Sequence, residues 1–567
     1  MSDIIIFFLT FYLLLISVVG YGILFQNLCY EHIKNISDQN EIYIGFYGLF
    51  FLTFISLISS LFVPHNFIHN IILHIIGVLL FIFLKIKNKK DYSKSIFLIS
   101  LFVLSALLIS KTHDDFSYYH LPFTKYLTEN KVIFGMGNLG HGYKLISSLF
   151  FLNSTFYLPV IEYFSFHFSL LFFLIFFNYI LLKEILSDKT HDVIRFLCIF
   201  AFTFFNLSFN RIAEYGTDKA GQLLIVILII KIFQHICFNN NKFKINDIII
   251  LLPLLGLCIS LKTYFLPYIL LGLTIILLDI KLSKSIKMIL FSRSFLIIFI
   301  SLLTYFFHHF ISTGCFISPL SITCFGDNLE WASKSAKYKD LAIWLEQWAK
   351  AGAGPGFRVE DPLDYIKNFN WIPHWIEKYF TGKFLDQLGV LISIFFVIFL
   401  TLKSFKLSSV SLRMNKKIVT FYLLILMIFF IWFTKHPSLR YGGYSIVFLT
   451  LSIPIAILFQ RAINRKNFKK NFKYLVLLIV VIFNFKNIVR INNEFQRTDL
   501  YRFNNFPYYA IPEKKFISQK SSSGLTFYRT SGHCWNTPTP CTGSLKSKIG
   551  VKKINGYYFL IKNPTFD

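Results

Sequence analysis

Runs of about 20 apolar residues recur along this chain, separated by short polar connections, and that spacing dominates what it can fold into. A bilayer's hydrocarbon core is about 30 Å thick, and an α-helix rising about 1.5 Å per residue needs roughly 20 apolar residues to cross it. Fourteen candidate spans centre on residues 4–25, 43–63, 67–84, 95–110, 157–182, 193–209, 220–238, 248–261, 263–278, 294–311, 385–402, 418–433, 443–459 and 474–487. Composition agrees, with 55% hydrophobic residues and only 15% charged, where a soluble domain carries about 25% charged. Apolar content this high also excludes a disordered chain. The expected fold class is an all-α polytopic membrane protein of about 14 transmembrane helices with a small extracytoplasmic C-terminal domain. The stretch Met1–Gly20 lacks a basic n-region and a small-residue cleavage site, so it is expected to stay as a membrane segment.

The formal net charge of +28 would point to nucleic acid in a soluble protein. Here the basic residues form patches between apolar runs, so no nucleic-acid partner is expected. The patches Lys85–Lys90, Lys183–Arg195, Lys242–Lys244, Lys281–Arg293, Lys403–Lys417 and Arg461–Lys473 fall on every second connection. The positive-inside rule places them all in the cytoplasm. The connections between them then face outward, and the expected localisation is a multi-pass protein of the cell membrane with an extracytoplasmic active face.

This alternation divides the chain into N-terminal helices at 1–110, an outer acidic and Gly-rich loop at 111–156 and a helical core at 157–311. An outer loop with interfacial helices at 312–384, C-terminal helices at 385–487 and an outer tail domain at 488–567 complete it. Cys315 and Cys324 sit close together in one outer loop, as do Cys534 and Cys541 in the tail. Close pairs confined to outer segments suit disulfides in an oxidising compartment. A zinc site at Cys534 and Cys541 would need two more ligands, with only His533 nearby.

Ionisable groups near membrane depth are costly and mark sites by default. His113, Asp114, Asp115 and His120 cluster directly after a span. Either carboxylate suits a general base, and the pair suits a divalent metal through oxygen ligands, with the histidines completing or orienting the site. The competing reading is an N-cap, since Asp precedes the helix-like Phe116–Tyr119. Gly135, Gly137, Gly140 and Gly142, with His141 among them, allow close backbone approach to a phosphate or sugar, or form a flexible turn. Arg211, Glu214, Asp218 and Lys219 crowd a short connection, which suggests a lined cavity. Lys262 is a phosphate contact or a snorkelling anchor. Arg440, between Pro437 and Gly442–Gly443, is placed for a bidentate phosphate contact.

Leu341, Trp344, Leu345 and Trp348 share one helical face and read as an interfacial amphipathic helix, with a carbohydrate platform as the alternative. In the tail, 524–528 and 556–561 read as short strands. There is no P-loop, kinase or Rossmann signature.

Many spans, the carboxylate loop at His113–Asp115 continuing to Gly142, and the cations Lys262 and Arg440 together resemble the GT-C superfamily of membrane glycosyltransferases. The superfamily places its acidic loop after the first span; here it follows the fourth. Pro437-x-x-Arg440-Tyr441-Gly442 and the Cys534-Trp535 to Pro540-Cys541 motif also resemble an uncharacterised family of bacterial polytopic membrane proteins. The first resemblance implies sugar transfer from a polyprenyl-phosphate donor to a cell-envelope glycan or lipid acceptor. It implies Asp114 or Asp115 as base or metal ligand, and Arg440 with Lys262 or Arg211 facing the leaving phosphate. A divalent metal is the one cofactor these residues suggest; membrane lipids, donor and acceptor are the partners. An O-antigen ligase or polymerase, leaning more on Arg440, and a transporter or flippase of envelope precursors are the alternatives. A transporter should show internal repeats and broken helices at mid-membrane, and no repeat is evident in the sequence.

Overall fold

The computed structural model describes residues 2–30, 40–88, 93–109, 113–238, 245–277, 282–352, 359–402, 416–459, 468–497, 507–508, 511–544 and 549–562. Among them, ten helices are long and apolar enough to cross a membrane: Asp3–Tyr30, Glu41–Ser59, Phe67–Leu84, Tyr163–Leu186, Asp218–Ile236, Arg293–Thr313, Ile372–Thr401, Lys416–Lys435, Leu439–Phe459 and Lys470–Gln496. By these helices the molecule is a multi-pass membrane protein.

About fourteen spans are expected; ten of them form helices of at least 18 residues among the described residues, and the other four apolar segments are shorter or broken. The segment expected at 95–110 breaks at Val103 into an 11-residue helix and a 3₁₀ turn. Those at 193–209 and 248–261 form 17-residue helices, Asp192–Ser208 and Ile245–Leu261, about 26 Å long and so at the lower limit of a crossing. The fourth becomes a 3₁₀ helix, Thr263–Leu277, that follows Leu261 after one residue. Two boundaries also differ. The span expected at 385 begins at Ile372, and the last helix runs on to Arg497 rather than ending near 487.

Burial sorts the spans into centre and rim. In Tyr163–Leu186 and Asp218–Ile236, 94% and 89% of the residues in an apolar 18-residue stretch are buried, against 28% and 22% in Phe67–Leu84 and Lys470–Gln496. A helix apolar on all sides belongs in the interior of a bundle, and outward apolar faces belong to lipid. Close crossings use small residues: a methyl group on Gly20 would lie 2.0 Å from the Gly77 carbonyl oxygen, so only glycine lets helices Ser2–Tyr30 and Phe67–Asn88 meet there. The brief turn at Pro64–Asn66 is held by side chains, with Ser59 Oγ 2.8 Å from His65 Nε2 and Asn70 Nδ2 donating to the His65 carbonyl at 2.8 Å.

Among the described residues the tail has five short strands. Strands β1 (Phe516–Lys520) and β2 (Thr526–Thr530) pair antiparallel with Phe516 opposite Thr530, and β3 (Cys541–Thr542) runs parallel to β2. Strands β4 (Ile549–Ile554) and β5 (Tyr557–Lys562) form a hairpin. Its Asn555-Gly556 turn has positive φ at both residues, as a two-residue hairpin loop requires.

The tail docks at one end of the bundle. Phe134 N donates to the Tyr558 carbonyl and the Phe134 carbonyl accepts from Leu560 N, both at 2.9 Å. The Tyr557 hydroxyl donates to the Leu61 carbonyl at 3.2 Å. Residues 113–142, the Trp331 loop and the tail therefore share that end. Disulfides join Cys315 to Cys324 and Cys534 to Cys541.

Candidate functional site

Asp115 begins a short helical turn, Phe116–His120, and its carbonyl accepts the backbone N–H of Tyr118, Tyr119 and His120 at 3.2, 3.1 and 3.3 Å. Its side chain makes no capping bond. The carboxylate turns instead to Arg440, whose Nη2 donates to Asp115 Oδ2. The N-cap reading of this residue therefore fails.

Arg440 lies where the helix leaving Lys435 and the helix starting at Tyr444 are interrupted. Gly442, at φ 89°, sits in the left-handed region that favours glycine. Interrupted backbone inside a bundle needs side-chain partners, and this segment has them. Gln222 donates to the Arg440 carbonyl at 3.2 Å and accepts from Ser445 N at 3.1 Å. The Tyr379 hydroxyl accepts from Leu439 N at 2.7 Å, and Trp375 Nε1 donates to the Pro437 carbonyl at 2.7 Å. Arg440 is thus presented by a fixed loop.

Its Nε donates to Asp218 Oδ2 at 2.8 Å. Asp218 opens helix Asp218–Phe238 and is 7% exposed, and its other oxygen accepts from the Tyr264 and Thr217 hydroxyls at 3.1 and 3.3 Å. One guanidinium therefore spans two carboxylates from segments far apart in sequence. Lys262 lies within the same electrostatic field, its ammonium 5.8 Å from the Tyr119 ring centre. Burial lowers the Lys262 pKa, with Asp218 opposing.

Burial would raise the Asp115 carboxyl, but Arg440, with His120 and His113, holds it below the usual carboxylate range. Burial lowers His113 to about 4, and Arg440 adds to the effect. His120 is pushed well below its ordinary value by burial, then by His113. Both rings are therefore neutral at pH 7. His120 Nδ1 lies 3.1 Å from the Tyr215 carbonyl, while its buried Nε2 has no hydrogen-bond partner.

The other expected site residues are placed differently. Asp114 is exposed on the loop surface, outside the His113, Asp115 and His120 group whose ligand atoms lie within 4.8 Å of one another. Arg211 pairs with Glu214, Arg490 Nη2 reaches Glu214 at 3.1 Å, and Lys219 donates to the Arg211 carbonyl at 2.8 Å. This second network ties the last long helix to the 210–219 connection, and it adjoins the Arg440 site through Asp218, the neighbour of Lys219. His141 packs edge-on against Trp344, with ring centres 4.9 Å apart. Burial, then Lys144, lowers it to about 4.

The glycine-rich stretch serves the chain's own packing. A methyl group on Gly135 would lie 2.4 Å from the Leu560 carbonyl oxygen and 2.7 Å from that of Trp331, and one on Gly142 would strike Tyr119. The stretch expected to form an amphipathic helix does so over Ser335–Lys350 and packs on the protein: Leu341 is buried with Cys315 and Tyr338, and Trp344 covers His141. Its half-buried tryptophans are a wall of the site end. The Cys534–Cys541 loop rests on the acidic loop, with Trp535 N donating to the Ser117 carbonyl at 3.0 Å and Thr539 N to Glu129 at 2.8 Å.

Gln222 and Tyr379 carry no signal in the sequence that would assign them to the site. A cavity of about 160 Å³ opens beside Arg440, between the 263–277 helix and helix Lys416–Lys435. Its wall runs from apolar Pro267, Ile431 and Trp432 to polar Thr263, Lys435 and His436. Burial lowers His436 to about 4, with Glu346 opposing and Lys435 assisting.

No curated protein and no solved structure matches the chain. One family profile does, described as Domain of unknown function (DUF8201), over residues 4–448. That match takes in Asp115, Asp218, Lys262 and Arg440 and stops short of the tail. Since it covers well over half of the sequence, the protein belongs to the DUF8201 family.

Proposed function

We propose that the protein is an integral-membrane glycosyltransferase that moves a sugar from a polyprenyl-phosphate-linked donor to a cell-envelope glycan or lipid acceptor. The observation that carries this reading is the meeting of Asp115, Asp218 and Arg440 beside Lys262 at one end of the bundle. Arg440 offers a fixed guanidinium for a phosphate, and Asp115 a carboxylate for an acceptor hydroxyl.

In this mechanism the donor phosphate reaches Arg440 and takes the place of Asp115. Asp218 stays, because Tyr264 and Thr217 also hold it. The freed Asp115 accepts the hydroxyl proton as the acceptor oxygen bonds to the anomeric carbon. The bond from that carbon to the phosphate oxygen breaks, its electron pair leaving with the polyprenyl phosphate. Arg440 and Lys262 face the charge that grows there, where fixed cations lower a barrier most. The cavity reaches Tyr441 and Gly442, next to Arg440 in the chain, and its wall joins apolar Pro267, Ile431 and Trp432 to the cation Lys435, as the first carbons of a phosphate-headed lipid would require.

An outward-facing site follows from charge. Helices Asp218–Phe238, Ile245–Leu261 and Lys416–Lys435 carry the site at the ends away from Lys242, Lys244 and Lys417, which the positive-inside rule keeps in the cytoplasm. The two disulfides near the site end suit the same compartment.

Mass spectrometry of surface glycans from cells carrying Asp115→Asn or Arg440→Ala tests the proposal. A missing sugar in both strains supports it, and unaltered glycans in both would sink it. Loss with Arg440→Ala alone would favour the ligase or polymerase chemistry. That alternative draws support from the low basicity that Arg440 imposes on Asp115.

A further inference from the structure

We infer that His113, Asp115 and His120 form a binding site for a first-row divalent ion of the zinc type, with its open side toward Arg440. The three offer ligand atoms within 4.8 Å of one another. Ligands about 2.1 Å from a tetrahedral ion lie about 3.4 Å apart, so the set closes on an ion by side-chain shifts of about 1 Å.

The independent observation is His120. Its ring is 1% exposed, and Nδ1 faces the Tyr215 carbonyl at 3.1 Å, so Nδ1 carries the proton. The lone pair is thereby fixed on Nε2, which is buried and without a hydrogen-bond partner. A carbonyl behind a histidine, setting its tautomer and leaving the far nitrogen bare, is the usual support of a metal-binding imidazole. An orphaned buried acceptor is otherwise a cost that a native fold avoids.

His113 completes the pair. Its ring centre is 5.2 Å from that of His120, and its Nδ1 is 3.7 Å from Asp115 Oδ2. That nitrogen also accepts the Asp115 N–H at 3.1 Å, so ligation exchanges one turn hydrogen bond or uses Nε2. Asp115 has two oxygens, of which Arg440 holds Oδ2.

Two imidazoles and one carboxylate select zinc-like ions over magnesium or calcium, which prefer all-oxygen shells. Three protein ligands leave a position open for a substrate oxygen, as in catalytic rather than structural zinc sites. A hydroxyl bound there would lose its proton more readily, with the Asp115 oxygen that does not ligate the ion as its acceptor. The site is argued from its ligands alone, so it stands or falls separately from the transferase reading.

The test uses full-length, untagged protein in nanodiscs, stripped with a chelator and reloaded with Zn²⁺ or Mg²⁺. Bound metal is counted by elemental mass spectrometry, and melting is followed at each ion concentration. The expected result is stoichiometric Zn²⁺, a zinc-dependent rise in melting temperature and no response to Mg²⁺. His113→Gln and His120→Gln should each weaken Zn²⁺ binding at least tenfold, while Asp114→Asn keeps it. If His120→Gln does not fold, the half-buried His113→Gln decides. Zinc retention by His113→Gln, its loss with Asp114→Asn, or no zinc above the background of the double histidine variant would each overturn the assignment.

Discussion

Arg440 donates to Asp218 at 2.8 Å across 222 residues of sequence, and the contact joins the interrupted segment before one helix to the start of another. It closes the site. Neither group is comfortable alone there, since a largely buried charge is tolerated only when paired.

Removing one partner should therefore cost more than removing both. Arg440→Ala leaves the Asp218 carboxylate without its cation and should destabilise the protein by about 3 kcal/mol. The double variant Arg440→Ala with Asp218→Asn should recover part of that loss. Fluorescence-detected size-exclusion melting of the detergent-solubilised variants reads both. Arg440→Lys should melt close to wild type yet lose transfer, because an ammonium cannot hold two groups in the fixed fork of a guanidinium.

Gly135→Ala should loosen the tail from the bundle. The residue sits at φ 79°, and its added methyl would meet two carbonyl oxygens, for a cost of about 2 kcal/mol or more. Limited proteolysis should then cut residues 511–562 faster than in wild type. Gly382→Ala, where a methyl meets nothing within 4 Å, should leave the tail as resistant as before.

Stability should fall on acidification between pH 6.5 and about 4. His436 and His141 are each held to about 4 in the folded state, against an ordinary value of about 6.5. Over that window the unfolded chain binds protons that the folded chain does not, so stability rises with pH through it and levels off above. Glu346, Lys435 and Lys350 face His436, and Lys144, Asp115 and Lys262 face His141. Melting temperatures at pH 4.5 and pH 7.5 should differ less in His436→Asn than in wild type.

The tail disulfide should stabilise the docked loop by about 2 kcal/mol, as expected for a short closed loop. Cys534→Ser with Cys541→Ser should lower the melting temperature and expose the tail to protease. With Asp114→Cys, at an exposed position of the site end, a membrane-impermeant maleimide should label the protein on intact cells. Labelling that needs permeabilised cells would place the site end in the cytosol and remove the sidedness argument.

Legibility differed by the range of the physics involved. Apolar runs and alternating basic patches report membrane spans because lipid imposes a minimum length and topology imposes a charge bias. They say less about a 17-residue helix such as Asp192–Ser208, which sits at the lower limit of a crossing and is buried by its neighbours. Both disulfides were readable because their cysteines lie within ten residues of each other. The identities of Asp115, Asp218, Lys262 and Arg440 stood out too, since charge beside apolar runs is costly wherever it falls.

Which of those charges meet was settled only in three dimensions. Asp114 and Asp115 are equivalent on paper, yet one faces solvent and the other Arg440, because the turn at Phe116 rotates consecutive side chains apart. Arg211 and Lys219 carry the same charge as Arg440 but are drawn to Glu214 and to backbone. The glycines at 135 and 142 receive carbonyls and a ring from distant segments rather than a ligand. Hydrophobicity and charge are properties of single residues and are therefore written in the chain. Pairing depends on where some 200 to 300 intervening residues return the backbone, as the separations of 222 and 325 residues behind Arg440 show, and only the packed bundle determines that.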